Sequence, residues 1–277
     1  MSLGMMLPRF ALVGLLAVTT PAVAGPATEP FDHDYSDYAA LLGEHVVDDR
    51  VDYTRLKANR AHLDRVVASL NAVRPSDIQK WSRAEQLAFW INAYNIFTLR
   101  VIVDHYPING SWFSLYPRNS IRQIDGVWTK LTWQAAGRRV TLDDIEHGII
   151  RREFAEPRIH FAVNCASVSC PPLAIAPYRA AALDQQLDDA ARRYLTSPLG
   201  LVVDGTTLRV SSIFKWYGKD FVAGFAAEGS GSRSAVERAT LGVVGRYGPR
   251  EAATLAARGQ AFISYLDYDW TLNDIPR

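Results

Sequence analysis

The stretch AEQLAFWINAYNIFTLRVIVDHYP, from Ala84 to Pro107, is apolar on almost every side of a helical wheel. A helix of that composition is one enclosed by the rest of the fold. Ser82 followed by Glu85 is a capping-box signature that predicts its start, and Pro107 predicts its end at Tyr106. Helical spacing also marks Tyr35 to His45, Thr54 to Leu70 and Tyr178 to Tyr194. Thr141 predicts the cap of a further helix, TLDDIEHGIIRREF, with Asp143 and Asp144 placed favourably against its dipole. Alternation predicts short strands in SIRQIDGVW and in LTWQAAGRRVTL, the latter a hairpin turning around Ala135 to Gly137. LGLVVDGTTLRVS predicts a second hairpin, turning at Asp204-Gly205. Ile159 to Val163 reads as a strand, and a helix from Glu251 leads into QAFISYLDYDW as a last strand. Helices and strands mix without a βαβ rhythm, which predicts an α+β fold. We expect a single globular domain with a long buried central helix packed on a small mixed or antiparallel sheet.

The N-terminus changes how the rest is read. Met1 to Arg9 carries a positive charge, Phe10 to Val18 is almost wholly apolar, and Ala22-Val23-Ala24 has the small-x-small form of a cleavage site. The apolar run is far shorter than the ~20 residues a membrane span needs. Residues 1–24 therefore read as a signal peptide cleaved after Ala24, residues 25–34 as a disordered leader, and residues 35–277 as the domain. A periplasmic or secreted location follows, with no membrane span after cleavage. Thirty basic residues against twenty-nine acidic ones leave no net field to attract nucleic acid. Gly224 to Ser234 is rich in Gly and Ser and reads as a surface loop.

Candidate chemistry concentrates in IHFAVNCASVSCPPL, Ile159 to Leu173, which holds both cysteines of the chain. In an extended segment His160, Ala162 and Asn164 share one face, opposite Ile159, Phe161 and Val163. Continued alternation sends Cys165 away from His160. On the central helix Glu85 and Asn92 fall within about 20° of each other, with Asn95 about 60° further round. Buried asparagines need polar partners, so this stripe either ties down a neighbouring loop or lines a pocket. Glu146 and His147, adjacent on their helix, point apart. Neither HxH, HExxH nor CxxC occurs, so we expect no metal and no cofactor. His33, His45, His62 and His105 read as surface residues. The sulfurs admit two readings. In an oxidising compartment a Cys165–Cys170 disulfide shapes the loop; as free thiols, one of them beside His160 is a nucleophile.

FWINAYN (Phe89–Asn95), Ser120-Ile121 with Val127-Trp128, LDDIEHGIIR (Leu142–Arg151), RIHFAVNCASVSCPPL, IFKWYGKDF (Ile213–Phe221) and YLDYDWTLN (Tyr265–Asn273) together resemble the domain-of-unknown-function 547 family. The resemblance covers most of residues 82–273. It implies bacterial exported members, and plant members joined to leucine-zipper or glutaredoxin-like segments, and it brings no reaction with it. Three function classes follow. One is a cysteine/histidine hydrolase or acyl-transferase of the cell envelope, with catalytic residues His160, Cys165, Asn92 and Glu85, and with Asn95, Asn164, His147 and Glu146 binding. The second is a non-catalytic envelope module stapled by the disulfide. The third is thiol-disulfide exchange. The expected partner is a small molecule or a cell-envelope component.

Overall fold

The computed structural model describes residues 30–226 and 232–276. The expected signal peptide, residues 25–29 of the expected leader, and the centre of the Gly/Ser patch lie outside the described residues. From Phe31 onward the chain is packed. The Phe31 ring lies 5.1 Å from Trp81 and 5.7 Å from Phe89. Asp32 accepts hydrogen bonds from the Ser36 and Asp34 amides at 2.7 and 2.9 Å.

The central helix runs Arg83–His105, and every residue from Leu87 to Leu99 is buried. Its capping box forms as predicted: the Ser82 hydroxyl accepts from the Glu85 amide at 3.2 Å, and the Glu85 carboxylate accepts from the Ser82 amide at 2.6 Å. Each Leu, Ile or Phe it takes out of water stabilises the fold by about 1.5–3 kcal/mol. Around it pack the helices Tyr53–Ala58 and Arg60–Ala72 on one side and the segment Asp144–Phe154 on another. The hairpin Trp133–Ala135 with Arg138–Val140 meets it through Phe97, whose ring stacks on Trp133 at 5.2 Å.

A second apolar cluster is built on a three-stranded mixed sheet. Leu201–Asp204 pairs antiparallel with Thr207–Val210, which pairs parallel with Phe262–Tyr265. The helices Leu183–Leu195, Ala235–Tyr247 and Arg250–Ala257 cover it. Together these elements make an α+β fold. The two clusters meet in the segment 159–163, where Ile159 and Ala162 pack with the central helix and Phe161 with the sheet side.

The structure departs from the sequence reading at several places that matter for the site. Pro157–Phe161 is a 3₁₀ turn, not a strand. Pro157 supplies a helical φ at its start, the Glu156 carboxylate caps the Arg158 amide at 3.0 Å, and the Val163 amide returns to the Ile159 carbonyl at 2.9 Å. The expected strand at Ser120 is likewise a short 3₁₀ turn, Ile121–Gln123, capped by the Ser120 hydroxyl. Asp144–Phe154 is a π-helix, its bonds reaching five residues back rather than four. His45 and His62 are buried, not on the surface. His62 is held by the carbonyl and carboxylate of Asp37 at 3.0 and 2.9 Å.

Candidate functional site

A cleft of about 360 Å³ opens where the two clusters meet. Its floor is the loop Asn164–Pro172, and two asparagine side chains, Asn95 and Asn164, set that loop's shape. Asn95 reaches out of the central helix, donating to the Ala162 carbonyl at 3.0 Å and accepting from the Asn164 amide at 2.8 Å. The Asn164 side chain then donates to the Pro171 carbonyl at 2.8 Å and accepts from the Ala166 amide at 2.9 Å. That last bond closes a tight turn in which Ala166 has φ 57°, a left-handed conformation that a residue with a Cβ adopts at a cost. The C-terminal segment locks it from the other side, with the Asn273 amide on the Ala166 carbonyl and the Val168 amide on the Thr271 carbonyl. Asn92 does the same work elsewhere, bonding both the carbonyl and the amide of Tyr178 at 2.8 and 2.9 Å. The polar stripe on the central helix is thus a set of loop ties, and Asn92, Asn95 and Asn164 are absent from the cleft lining. Glu85 sits at the helix start in its capping box, also away from the cleft.

Cys165 and Cys170 both line the cleft, with their sulfurs 2.9 Å apart as free thiols. Cys165 is half-buried and Cys170 is buried. Between neutral thiols Cys165 donates to Cys170; once Cys165 is ionised, the Cys170 S–H becomes the donor. That donor is the largest influence on Cys165 and lowers its pKa from 9.0 to about 7. Burial opposes it, while the Ser167 hydroxyl at 3.2 Å and the Tyr268 hydroxyl at 3.3 Å reinforce it. Cys170 moves the other way. Burial pushes its thiol well up, and the neighbouring Cys165 adds to the push. The pair is therefore polarised, with the more accessible sulfur the better anion.

His160 lines the same cleft, because the 3₁₀ turn cancels the strand alternation that sent Cys165 to the opposite face. Its Nε2 donates to the Asp220 carboxylate at 2.8 Å, and its ring stacks on Tyr217 at 4.1 Å. Asp220 also receives two bonds from Arg151, at 2.6 and 2.8 Å, and Arg151 reaches His147 Nδ1 at 2.9 Å. Burial alone would raise the Asp220 carboxyl; the bonds from His160 and Arg151 outweigh it and hold the group well below the usual carboxylate range. Among the described residues no hydrogen bond joins the His160 ring to either sulfur, so a preformed Cys–His pair is not part of this arrangement.

Glu146 and His147 both line the cleft, since the wider π-helical turn reduces the angle between successive side chains. The Tyr217 phenol meets the Glu146 carboxylate; burial first, and the Glu146 charge next, push that phenol up. Aromatic rings complete the walls: Trp128, Trp216 and Tyr217 with Tyr268 and Trp270 from the C-terminal segment. Trp216 and Trp270 stack at 5.8 Å, and the Arg122 guanidinium lies 4.2 Å over the Trp270 ring.

The sequence reading named His160, Cys165, His147 and Glu146, which the cleft brings together. It missed Asp220, Arg151, Tyr217, Tyr268 and Trp270. A signal for them was present in LDDIEHGIIR, IFKWYGKDF and YLDYDWTLN, motifs whose polar and aromatic residues exceed what packing needs. Among the described residues no group of three or more His, Cys, Asp or Glu converges as metal ligands. No helix among them is long and apolar enough to cross a membrane.

No curated protein and no solved structure matches the chain. A family model described as "Protein of unknown function, DUF547" matches residues 78–195, which span the central helix, the π-helix, His160 and both cysteines. Asp220 and the aromatic wall from Trp216 to Trp270 lie beyond the matched segment. Residues 78–195, somewhat under half of the chain, are thus similar to the DUF547 family of proteins of unknown function.

Proposed function

We propose that the cleft is the active site of a cysteine-nucleophile enzyme, a hydrolase or acyl-transferase in which Cys165 attacks and His160 with Asp220 moves the proton. The observation that carries this reading is the polarised thiol pair. A half-buried sulfur whose pKa is lowered to about 7 is about half thiolate at neutral pH, against about one per cent for a thiol at 9.0. Attack of the Cys165 Sγ on an acyl carbon forms the S–C bond of a thioester, and the bond to the leaving group breaks. With Nε2–H donated to Asp220, Nδ1 is the nitrogen left to take the thiol proton and hand it to that leaving group. Water, or a second acyl acceptor, then releases the acyl group and restores the thiolate.

The test is acylation of the reduced protein by a small activated ester, followed by intact mass. One acyl group on Cys165, absent in Cys165→Ala and slowed in His160→Ala, is expected. Equal acylation of Cys165→Ala would refute the reading.

A second reading, thiol-disulfide exchange, is favoured by the 2.9 Å contact between sulfurs of opposite pKa shift. There Cys165 attacks a substrate disulfide and Cys170 resolves the mixed disulfide. Cys170→Ser separates the two: it keeps a hydrogen-bond donor beside Cys165, so acyl turnover survives, whereas exchange stalls at the mixed disulfide. The export signal read in residues 1–24 supports an envelope location for either chemistry, which cell fractionation of the tagged chain tests.

A further inference from the structure

We propose that the loop 110–118 is an interfacial anchor that seats this protein on a phospholipid surface. The loop GSWFSLYPR presents Trp112, Phe113 and Leu115 at 78%, 100% and 99% exposure, a concentration of large apolar side chains matched nowhere else among the described residues. Single exposed apolar residues are ordinary, but three on one loop tip mark a contact surface. Complete exposure means that they project rather than line a groove, which is the shape of a wedge entering a fluid phase.

Two features commit the tip to lipid. The first is the treatment of its backbone. Peptide groups entering the acyl boundary need partners within the protein. Here the neck is closed by the Gly110 amide on the Arg118 carbonyl at 2.9 Å, with Arg118 Nε returning to the Gly110 carbonyl at 2.9 Å. Gln123 fills the interior. Its Oε1 accepts from the Ser111 amide at 3.2 Å, and its Nε2 lies within reach of the Ser111, Tyr116 and Pro117 carbonyls at 3.1–3.3 Å. A Cβ at Gly110 would sit 2.3 Å from the Gln123 side chain, so the glycine is what lets the amide in. Ser111 and Ser114 hydroxyls accept from the Phe113 and Tyr116 amides, both at 3.1 Å. The neck of the loop, at 110–111 and 116–118, and the Phe113 amide are thus satisfied inward, while the apolar side chains of the tip face out.

The second feature is charge. From His105 to Ile124 the chain carries Arg118 and Arg122 and no carboxylate. Arg118 lies 4.2 Å over the Trp112 ring, at the level where an indole and a guanidinium meet headgroup phosphates. The loop is continuous with the cleft: Arg122 also stacks over Tyr116 and Trp128, at 4.9 and 5.0 Å, and Trp128 lines the cleft wall. Seating the tip brings the cleft mouth to the lipid face. This inference goes beyond the proposed reaction and does not depend on it, because its test involves no thiol chemistry.

The experiment is vesicle binding by the full chain, with phosphatidylcholine vesicles and with vesicles containing phosphatidylglycerol. Wild type is compared with the triple variant Trp112→Ser, Phe113→Ser, Leu115→Ser. The apolar run Phe10–Val18 is common to both, so the difference reports the loop. The expected result is at least a tenfold weaker partition of the triple variant on both vesicle types, with little change in melting temperature because these side chains are largely exposed and none belongs to the core. Binding of wild type is tighter on the anionic vesicles, by an increment that salt removes. As a local readout, brominated phosphatidylcholine quenches tryptophan emission of wild type more than that of Trp112→Ser. Gln123→Ala, which keeps the apolar tip but removes its internal bonds, binds with intermediate strength. Equal partition of wild type and triple variant overturns the proposal. So does wild type that ignores vesicles but self-associates through the loop, which would make a second copy the occupant.

Discussion

If Cys170 sets the reactivity of Cys165, replacing it with alanine has a worked consequence. The Cys170 S–H is the first cause of the drop from 9.0 to about 7. Without it Cys165 moves back up toward 9.0, with burial raising it and the Ser167 and Tyr268 hydroxyls still lowering it, so a full return to 9.0 sets the largest effect. At pH 7 the thiolate fraction falls from about one half to about one per cent, roughly fiftyfold. The more basic thiolate is intrinsically a better nucleophile by about six- to tenfold, for a Brønsted slope near 0.4–0.5. The two effects leave a net fall of about five- to eightfold in alkylation rate at pH 7, and the order reverses above about pH 8. The assay is the rate of iodoacetamide modification of Cys165, by mass, in reduced protein from pH 5.5 to 10. Crossing pH–rate curves, with a midpoint near 7 in wild type and a higher one, at most about 9, in Cys170→Ala, are expected. Coincident midpoints would sink the argument, because some group other than Cys170 would then hold the thiolate.

Other expectations follow from the same geometry. Asn95→Ala removes two buried bonds and leaves the Ala162 carbonyl and Asn164 amide unpaired, costing about 2–4 kcal/mol in urea unfolding; an unchanged midpoint would show that the cysteine loop stands without it. Asp220→Asn leaves Arg151 without its carboxylate and costs about 2 kcal/mol at neutral pH. Because the folded carboxyl lies below its ordinary 3.8, this contribution is present above that value and is lost only as pH falls below it. The wild-type advantage should therefore hold to about pH 4 and then shrink, and a loss beginning at pH 6 would contradict the sign. Glu85→Ala removes a helix cap and costs about 0.5–1 kcal/mol. It should leave Cys165 alkylation unchanged, and a slowed rate would place Glu85 in the site after all.

How much of this was legible in the chain divides along a physical line. Local chemistry was readable: the Ser82–Glu85 cap, the enclosed helix ending before Pro107, the hairpins at Gly137 and Gly205, and the cysteine loop as the centre of interest. Each depends on residues within one element, where short-range sterics, capping and periodicity decide the outcome. The segment 157–163 misled because its alternation is that of a strand. Its backbone is a 3₁₀ turn started by Pro157 and held by Asn95, which sits 67 positions from Ala162.

Site composition was the part that only tertiary structure decided. Asp220 meets His160 across 60 positions, and Tyr268 meets Cys165 across 103. Nothing in local pattern encodes such meetings, because the orientation of a polar side chain is set by which partner satisfies it after the chain has packed. The same rule turned Asn92 and Asn95 of the central helix into ties for neighbouring loops, and it placed the Cys165–Cys170 pair and His160 on one cleft. From composition alone the two cysteines are equivalent. Burial and one hydrogen bond between them make one an anion near neutral pH and the other its donor.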